Sequence, residues 1–173
     1  MLPIQKKVCL LGDFAVGKTS LVRRFVEGVF EDKYLSTIGT KVSRKSLTLN
    51  HNNASVDMQM MLWDLAGGEK FDQVMSSYYR GAGAALLVCD LTRPETLDIV
   101  HRYIRDFWEI NPGTPLILVG NKIDLVDMRL ISDESLNQVG NQYQMKVLTS
   151  SAKTGENVEM AFQMLGTQIL EKQ

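Results

Sequence analysis

The chain has 173 residues, 45% hydrophobic and 23% charged, which places it among single globular domains long enough to bury one sizeable core, here residues 1–173. Its formal net charge of −1 gives no electrostatic ground for a nucleic-acid or acidic-membrane partner, so small molecules and proteins are the expected ligands. No apolar run approaches the roughly 18 residues of a membrane span, and Lys6-Lys7 leads into a strand, not a secretory hydrophobic region.

Short apolar runs alternate with helix-period segments almost from end to end, the pattern of an α/β fold with a parallel sheet. Val8 to Gly12 reads as a first strand. Thr19 to Glu27 reads as a helix with Leu21, Val22, Phe25 and Val26 at core spacing. Lys41 to Leu49 and Val56 to Leu65 flank the polar turn His51-Asn52-Asn53 and predict an antiparallel edge hairpin. Ala84 to Cys89 and Leu116 to Val119 are continuously apolar, as strands covered on both faces should be. Between them Thr92 is placed to cap a helix with Pro94 in its first turn and Leu97, Val100, Ile104 and Phe107 on its buried stripe, ending before Pro112. A helix from about Ser132 to Tyr143, a strand at Val147 to Thr149 and a helix from about Asn157 to Leu170 complete the chain. The two cysteines, Cys9 and Cys89, lie in strand-like apolar runs, so neither a disulfide nor a metal pair is expected; this usage suits a reducing, cytoplasmic setting.

Directly after the first strand, Gly12-Asp13-Phe14-Ala15-Val16-Gly17-Lys18-Thr19 satisfies G-x-x-x-x-G-K-[ST] in the strand, loop and helix context that the motif requires. Backbone N–H groups of such a loop converge on a polyphosphate at a helix N-terminus, where the dipole favours negative charge. Lys18 would bridge β- and γ-phosphates, and the Thr19 hydroxyl would supply one oxygen to Mg²⁺. Ala15, Val16, Gly17 and Ser20 complete the cradle. This loop alone leaves the base open. Asn121-Lys122-Ile123-Asp124, at the end of an apolar strand, matches N-K-x-D: the Asp124 carboxylate can accept from the N1–H and N2–H₂ edge of guanine, a donor pair that adenine lacks. The Lys122 stem can pack over the base while Asn121 ties neighbouring loops together.

With these motifs the sequence resembles the Ras superfamily, and within it the Rab-like branch, over residues 6–170: GDFAVGKTS, STIG, WDLAGGEKF, NKID and SAK stand in order, and Ser77-Tyr78-Tyr79-Arg80-Gly81-Ala82 is similar to the Rab signature YYRGA. The resemblance implies a three-layer P-loop fold with a six-stranded, mostly parallel sheet and about five helices. It implies a GTPase that switches protein effectors with bound GTP, GDP and Mg²⁺. By the same resemblance Thr37 would ligate Mg²⁺ only with the γ-phosphate present, Asp64 would hold the metal through water, and Gly67 would give its N–H to the γ-phosphate. Phe30 would pack edge-on to guanine, Tyr34 would close over the phosphates, and Ser151-Ala152-Lys153 would meet the base oxygen; for both aromatics plain core packing is the alternative. The chain is expected to be a monomer. Leu2 and the C-terminal LEKQ give no site for myristoylation or prenylation, so a lipid anchor is expected to be absent or removed, which would also suit a prokaryotic relative of that branch.

Two departures bear on catalysis. Where the family has D-T-A-G-Q-E, this chain reads Asp64-Leu65-Ala66-Gly67-Gly68-Glu69, so the amide that orients the attacking water is missing at Gly68. Phe14 occupies a P-loop position that is glycine in Ras and serine in many Rabs, and its ring either crowds the γ-phosphate or turns outward as a hydrophobic lid. Slow hydrolysis follows, with Lys18, Thr37 and Gly67 as the remaining catalytic groups and an activating protein as a possible source of the missing one. The alternative is an interaction module locked to its nucleotide; an ATP-using kinase is disfavoured by Asp124. On the effector face Trp63 and Tyr78 match two aromatics that Rab effectors read, while Val42 replaces the third. Met58, Met60 and Met61 offer either an adaptable contact patch or, the favoured reading, core filling. His51 and His101 read as a solvated turn and a helix surface.

Overall fold

A computed structural model describes residues 2–34, 36–68 and 74–173. Six strands form one sheet: β1 (Ile4–Leu11), β2 (Thr40–His51), β3 (Ala54–Leu65), β4 (Ala82–Asp90), β5 (Leu116–Asn121) and β6 (Lys146–Ser150). Their order is β2-β3-β1-β4-β5-β6, antiparallel only between β2 and β3. Five α-helices accompany them among the described residues: α1 (Lys18–Glu27), α2 (Glu95–Asp98), α3 (Val100–Ile110), α4 (Asp133–Tyr143) and α5 (Val158–Glu171). The expected α/β architecture with an antiparallel edge hairpin is the one observed, with each strand extending one to four residues beyond the bounds set by its apolar run at one end or both. Among the described residues no helix is long and apolar enough to cross a membrane.

The side-chain period of 2 divides the buried strands between two cores. Val8 and Leu10 of β1 with Ala84, Leu86 and Val88 of β4 face α1 and α5, where Phe25 and Phe162 stack at 4.0 Å. Cys9 and Leu11 with Ala85, Leu87 and Cys89 face α2, α3 and α4 on the other side. Both cysteines are free, and burial pushes each thiol up to about 12, which leaves almost no thiolate at neutral pH. Met58 and Met60 are fully buried, so the contact-patch reading fails for these two and core filling holds; inward alternation of β3 takes both onto the α1/α5 side.

The β2–β3 hairpin turns at Asn52 and Asn53, whose φ values of 50° and 62° are the two left-handed residues of a tight hairpin turn. The predicted helix after β4 is divided, with Ile99 between α2 and α3. Thr92 does not cap it. Its hydroxyl and N–H instead donate to the buried Asp90 Oδ1 at 2.7 and 2.9 Å, and the helix starts only at Glu95, with Pro94 in the cap position. Ser132 caps α4 by accepting from the Ser135 N–H at 3.1 Å. His101 is not a bare surface residue, since its Nδ1 lies 2.7 Å from the Tyr143 hydroxyl.

Parallel strands present their carboxyl ends to one edge, and ligand crevices open where strand order reverses. Here β1 is that point: β2 and β3 lie on one side of it, β4, β5 and β6 on the other. The carboxyl ends of β1, β3, β5 and β6 with the loops that follow them contain the P-loop, Asp64-Gly67, Asn121-Asp124 and Ser151-Lys153, so the motifs meet at that edge.

Candidate functional site: a nucleotide cleft at the carboxyl edge of the sheet

A cleft of about 330 Å³ opens there, within the range of small-molecule sites. Its floor is the P-loop. Gly17 stands in the left-handed region at φ 102°, and a Cβ on it would come within 2.3 Å of Asn121 Nδ2, so both backbone and space call for glycine. No side chain caps α1, which leaves its first-turn N–H groups toward an anion. The Lys18 ammonium is held at the cleft by the carbonyls of Gly12 at 2.7 Å and Asp13 at 2.9 Å.

Thr19, Thr37 and Asp64 come together from α1, the 36–39 segment and β3. The Thr19 hydroxyl donates to Asp64 Oδ2 at 2.6 Å and shares a short contact with the Thr37 hydroxyl. Asp64 is buried, and its Oδ1 has no hydrogen-bond partner. Burial holds its carboxyl above the usual range, with the Thr19 hydrogen bond, Lys18 and Lys41 pulling the other way. A buried carboxylate oxygen without a donor, beside two hydroxyls, suits a hard cation that prefers oxygen ligands, which fits Mg²⁺. Among the described residues no cluster of three or more His, Cys, Asp or Glu offers a site for a softer metal. Gly67 meets this cluster directly: a Cβ there would lie 2.4 Å from the Gly12 carbonyl oxygen and 2.6 Å from Lys18 Nζ. Gly68, at φ 102°, has among the described residues only Phe14 Cβ near its own would-be Cβ, at 3.7 Å, and its N–H donates toward the Tyr103 hydroxyl at 3.5 Å. Glu69, next in the same motif, lies outside the described residues.

The base end is built as a braced loop. Asn121 donates from Nδ2 to the Val16 carbonyl at 3.0 Å and accepts at Oδ1 from Ser150 Oγ and the Ala152 N–H. Lys122 reaches back to the Ala15 carbonyl at 2.9 Å and pairs with Asp90 Oδ2 at 2.8 Å. Asp124 faces the cleft with one oxygen fixed by Ser151 Oγ at 2.7 Å. Phe30, Ser20, Ala152 and Lys153 line the cleft, and Phe30 packs partly against the core as well. Val16 and Ser151 stand behind the lining: Val16 is fully buried, and the Ser151 hydroxyl donates to Asp124.

Phe14 turns outward. Its ring is 49% exposed and meets Tyr34 edge to face, with centroids 5.4 Å apart and planes at 65°. Both rings line the cleft. Away from the cleft mouth, Val42 is paired with Trp63 across the hairpin, the Trp63 and Tyr78 rings are 6.0 Å apart, and Lys7 Nζ lies 3.9 Å from the Trp63 ring centre. The three predicted effector positions therefore share one face, where Val42 and Tyr78 are exposed.

Sequence reasoning missed Arg24. From the last turn of α1 its Nε donates to the Ala152 carbonyl at 2.8 Å, while its Nη atoms serve the Lys153 and Gly28 carbonyls. Arg93 and Asp90 were missed as well. Main-chain carbonyls carry no letter in a motif, so an arginine that serves them leaves no sequence signal.

This arrangement defines a P-loop nucleotide-binding protein. The Ras family model matches residues 7–171, and the chain belongs to that family. It is 36% identical to the Ras-related protein Rab-1 of Theileria annulata over 96% of this chain and 74% of the relative. It is 35% identical to the human Ras-related protein Rab-8B over 96% of this chain and 79% of the relative, and 36% identical to the Ras-related protein RABA4a of Arabidopsis thaliana over 94% and 71%. Within the family it is Rab-like, and its membership supports a GTP-binding switch with GTP hydrolase activity.

Proposed function

We propose that the chain is a guanine-nucleotide switch whose intrinsic hydrolysis is slow. The observation that carries this reading is the surroundings of Gly68: glycine has no side-chain amide to orient water, and among the described residues its would-be Cβ faces the apolar Phe14 at 3.7 Å while the Tyr103 hydroxyl reaches only its backbone N–H, at 3.5 Å. In this reading the P-loop N–H groups and Lys18 hold the phosphates, and Thr19, Thr37 and Asp64 hold Mg²⁺. When bound, the metal neutralises charge that develops on the phosphate oxygens. The Gly67 N–H contacts the γ-phosphate, so its loss frees both the Thr37 and Gly67 segments and signals the change to effectors on the Val42, Trp63 and Tyr78 face. Phe30, Asp124, Ala152 and Lys153 select guanine. An activating protein supplies the missing polar group.

The test is single-turnover hydrolysis of GTP with Mg²⁺ by the purified chain, compared with Gly68→Gln. A wild-type rate equal to that of a family member with glutamine ends the slow-hydrolysis reading. Gly68→Gln brings a Cβ that clashes with no described residue but takes on a left-handed backbone, at a cost of about 1 kcal/mol of stability. It is expected to hydrolyse faster than wild type; no gain assigns the block to Phe14. The second reading, a module locked to its nucleotide, draws on the Phe14–Tyr34 contact at the cleft mouth. Stoichiometric GTP surviving purification, with no turnover on addition of a partner, selects it.

A further inference from the structure

Arg93 belongs to no nucleotide-binding motif, yet it lies across the P-loop. One Nη donates to the Phe14 carbonyl at 2.9 Å, the other is 3.7 Å from Asp13 Oδ2, and Nε is 3.2 Å from Glu95 Oε1. Asp90, only 1% exposed, lies 4.0 Å from the first of these and anchors the turn carrying Arg93 by accepting from both Thr92 donors. Three carboxylates thus surround the guanidinium, whose donors in a fixed planar fork can serve them and a carbonyl together. On the other flank, Asp13 Oδ1 accepts from the Phe14 N–H at 2.7 Å. The peptide groups on both sides of the Phe14 Cα are therefore pinned, the N–H by Asp13 and the carbonyl by Arg93. A pinned backbone fixes the direction of the Cα–Cβ bond. The ring carried on it ends against Tyr34, which is itself 59% exposed and belongs to a different loop. Tyr34 has no other ring contact among those the described residues make, so Phe14 is what the P-loop offers it.

We propose that Arg93 is a positioning residue for nucleotide retention: it fixes the Phe14 peptide, which aims the ring at Tyr34, and the ring pair latches the Tyr34 loop over the phosphate end of the cleft. The inference rests on the guanine-nucleotide reading above. A P-loop phenylalanine that turns outward then has a use, since it slows release of nucleotide.

The experiment follows release of a fluorescent GDP analogue from the full chain with Mg²⁺, chased with unlabelled GDP, for wild type, Arg93→Ala, Phe14→Ser and the double variant. Each single change is expected to speed release by about 2- to 10-fold, the range of an edge-to-face aromatic pair. In the Phe14→Ser background, Arg93→Ala is expected to add almost nothing, because its route through the ring is already gone. An Arg93→Ala rate equal to wild type overturns the proposal. So does an effect of undiminished size in the double variant, which a general loop-bracing role would give. Tyr34→Ala tests the ring contact without touching Arg93 and serves if Arg93→Ala does not fold: it should match Phe14→Ser, and additive rates for the pair overturn the latch. A wild-type chain that binds no guanine nucleotide overturns the parent reading and the latch together, whereas failure of the latch alone leaves binding intact and the rate ratios near one.

Discussion

Asp64 carries the conflict of this site in one side chain. Its Oδ2 is satisfied by Thr19, its Oδ1 is buried without a donor, and burial raises its pKa against the pull of the Thr19 hydrogen bond and of Lys18 and Lys41. A group with a raised folded pKa binds its proton more tightly in the fold than in the unfolded chain. Its contribution to stability is therefore complete below the unfolded value, 3.8 for a carboxyl of this kind, and is lost as pH rises through the folded value. At neutral pH the metal-free fold bears an ionised carboxylate that it solvates poorly. Asp64→Asn removes that charge and keeps the shape, so the metal-free, nucleotide-free protein is expected to gain on the order of 1 kcal/mol at pH 7. The gain should begin to fall as pH drops through the raised pKa and vanish below the unfolded value of 3.8. The same change should weaken Mg²⁺-dependent nucleotide binding by at least tenfold. Thermal melts across pH without metal, beside titration with nucleotide and Mg²⁺, check the two signs; a variant less stable than wild type at pH 7 without metal would show that Asp64 is structural.

At the scale of elements, the motifs are short because the sheet does the assembling. Each strand end delivers a few residues to one edge, and the family letters record those whose side chains or missing side chains face the cleft. This is why Gly12 to Thr19 and Asn121 to Asp124 could be placed from sequence alone, and why the apolar runs of β4 and β5 gave central strands. The bracing was not legible. Thr92 had a plausible cap position, but only the tertiary fold reveals the buried Asp90 carboxylate that claims it. Arg24 stands in no motif, yet it joins the C-terminal turn of α1 to the Ala152-Lys153 loop by way of carbonyls 128 and 129 residues away in sequence. Removing it should leave α1 folded on its buried Leu21, Val22 and Phe25 face while loosening the base-binding loop. Arg24→Ala is accordingly expected to lower guanine-nucleotide affinity about tenfold, the equivalent of one or two charge-assisted hydrogen bonds, with a smaller change in the melting temperature of the nucleotide-free chain. Isothermal titration with GDP and Mg²⁺ measures the first and a melt the second. Unchanged affinity would mean that Asn121 and Ser151 hold the loop without help.

For the whole molecule, the two cores and the cleft form a division of stability. The cores on either face of the sheet are continuous and apolar, whereas the cleft edge keeps a buried lysine, a buried aspartate with an orphan oxygen and an uncapped helix N-terminus. Of these groups the lysine already donates to the Gly12 and Asp13 carbonyls, whereas the Asp64 oxygen and the helix end are open to a ligand. A ligand that supplies anionic oxygens and a cation to all of them binds only the folded state and must raise its stability by RT ln(1 + [L]/Kd), about 4 kcal/mol at a thousandfold excess over Kd. For a chain of this length each kcal/mol moves the melting temperature by roughly 2–4 °C, so GDP with Mg²⁺ is expected to raise it by about 8–16 °C. The increment should shrink when a chelator removes the metal, because the Asp64 carboxylate then regains its unpaired charge. It should be small with ADP and Mg²⁺ at the same concentration, because Asp124 offers an acceptor that adenine does not match with a donor pair. Equal shifts for the two bases would detach Asp124 from base selection while leaving the phosphate site intact, and no shift with either would mean that the buried polar groups of this edge are satisfied by something other than a nucleotide.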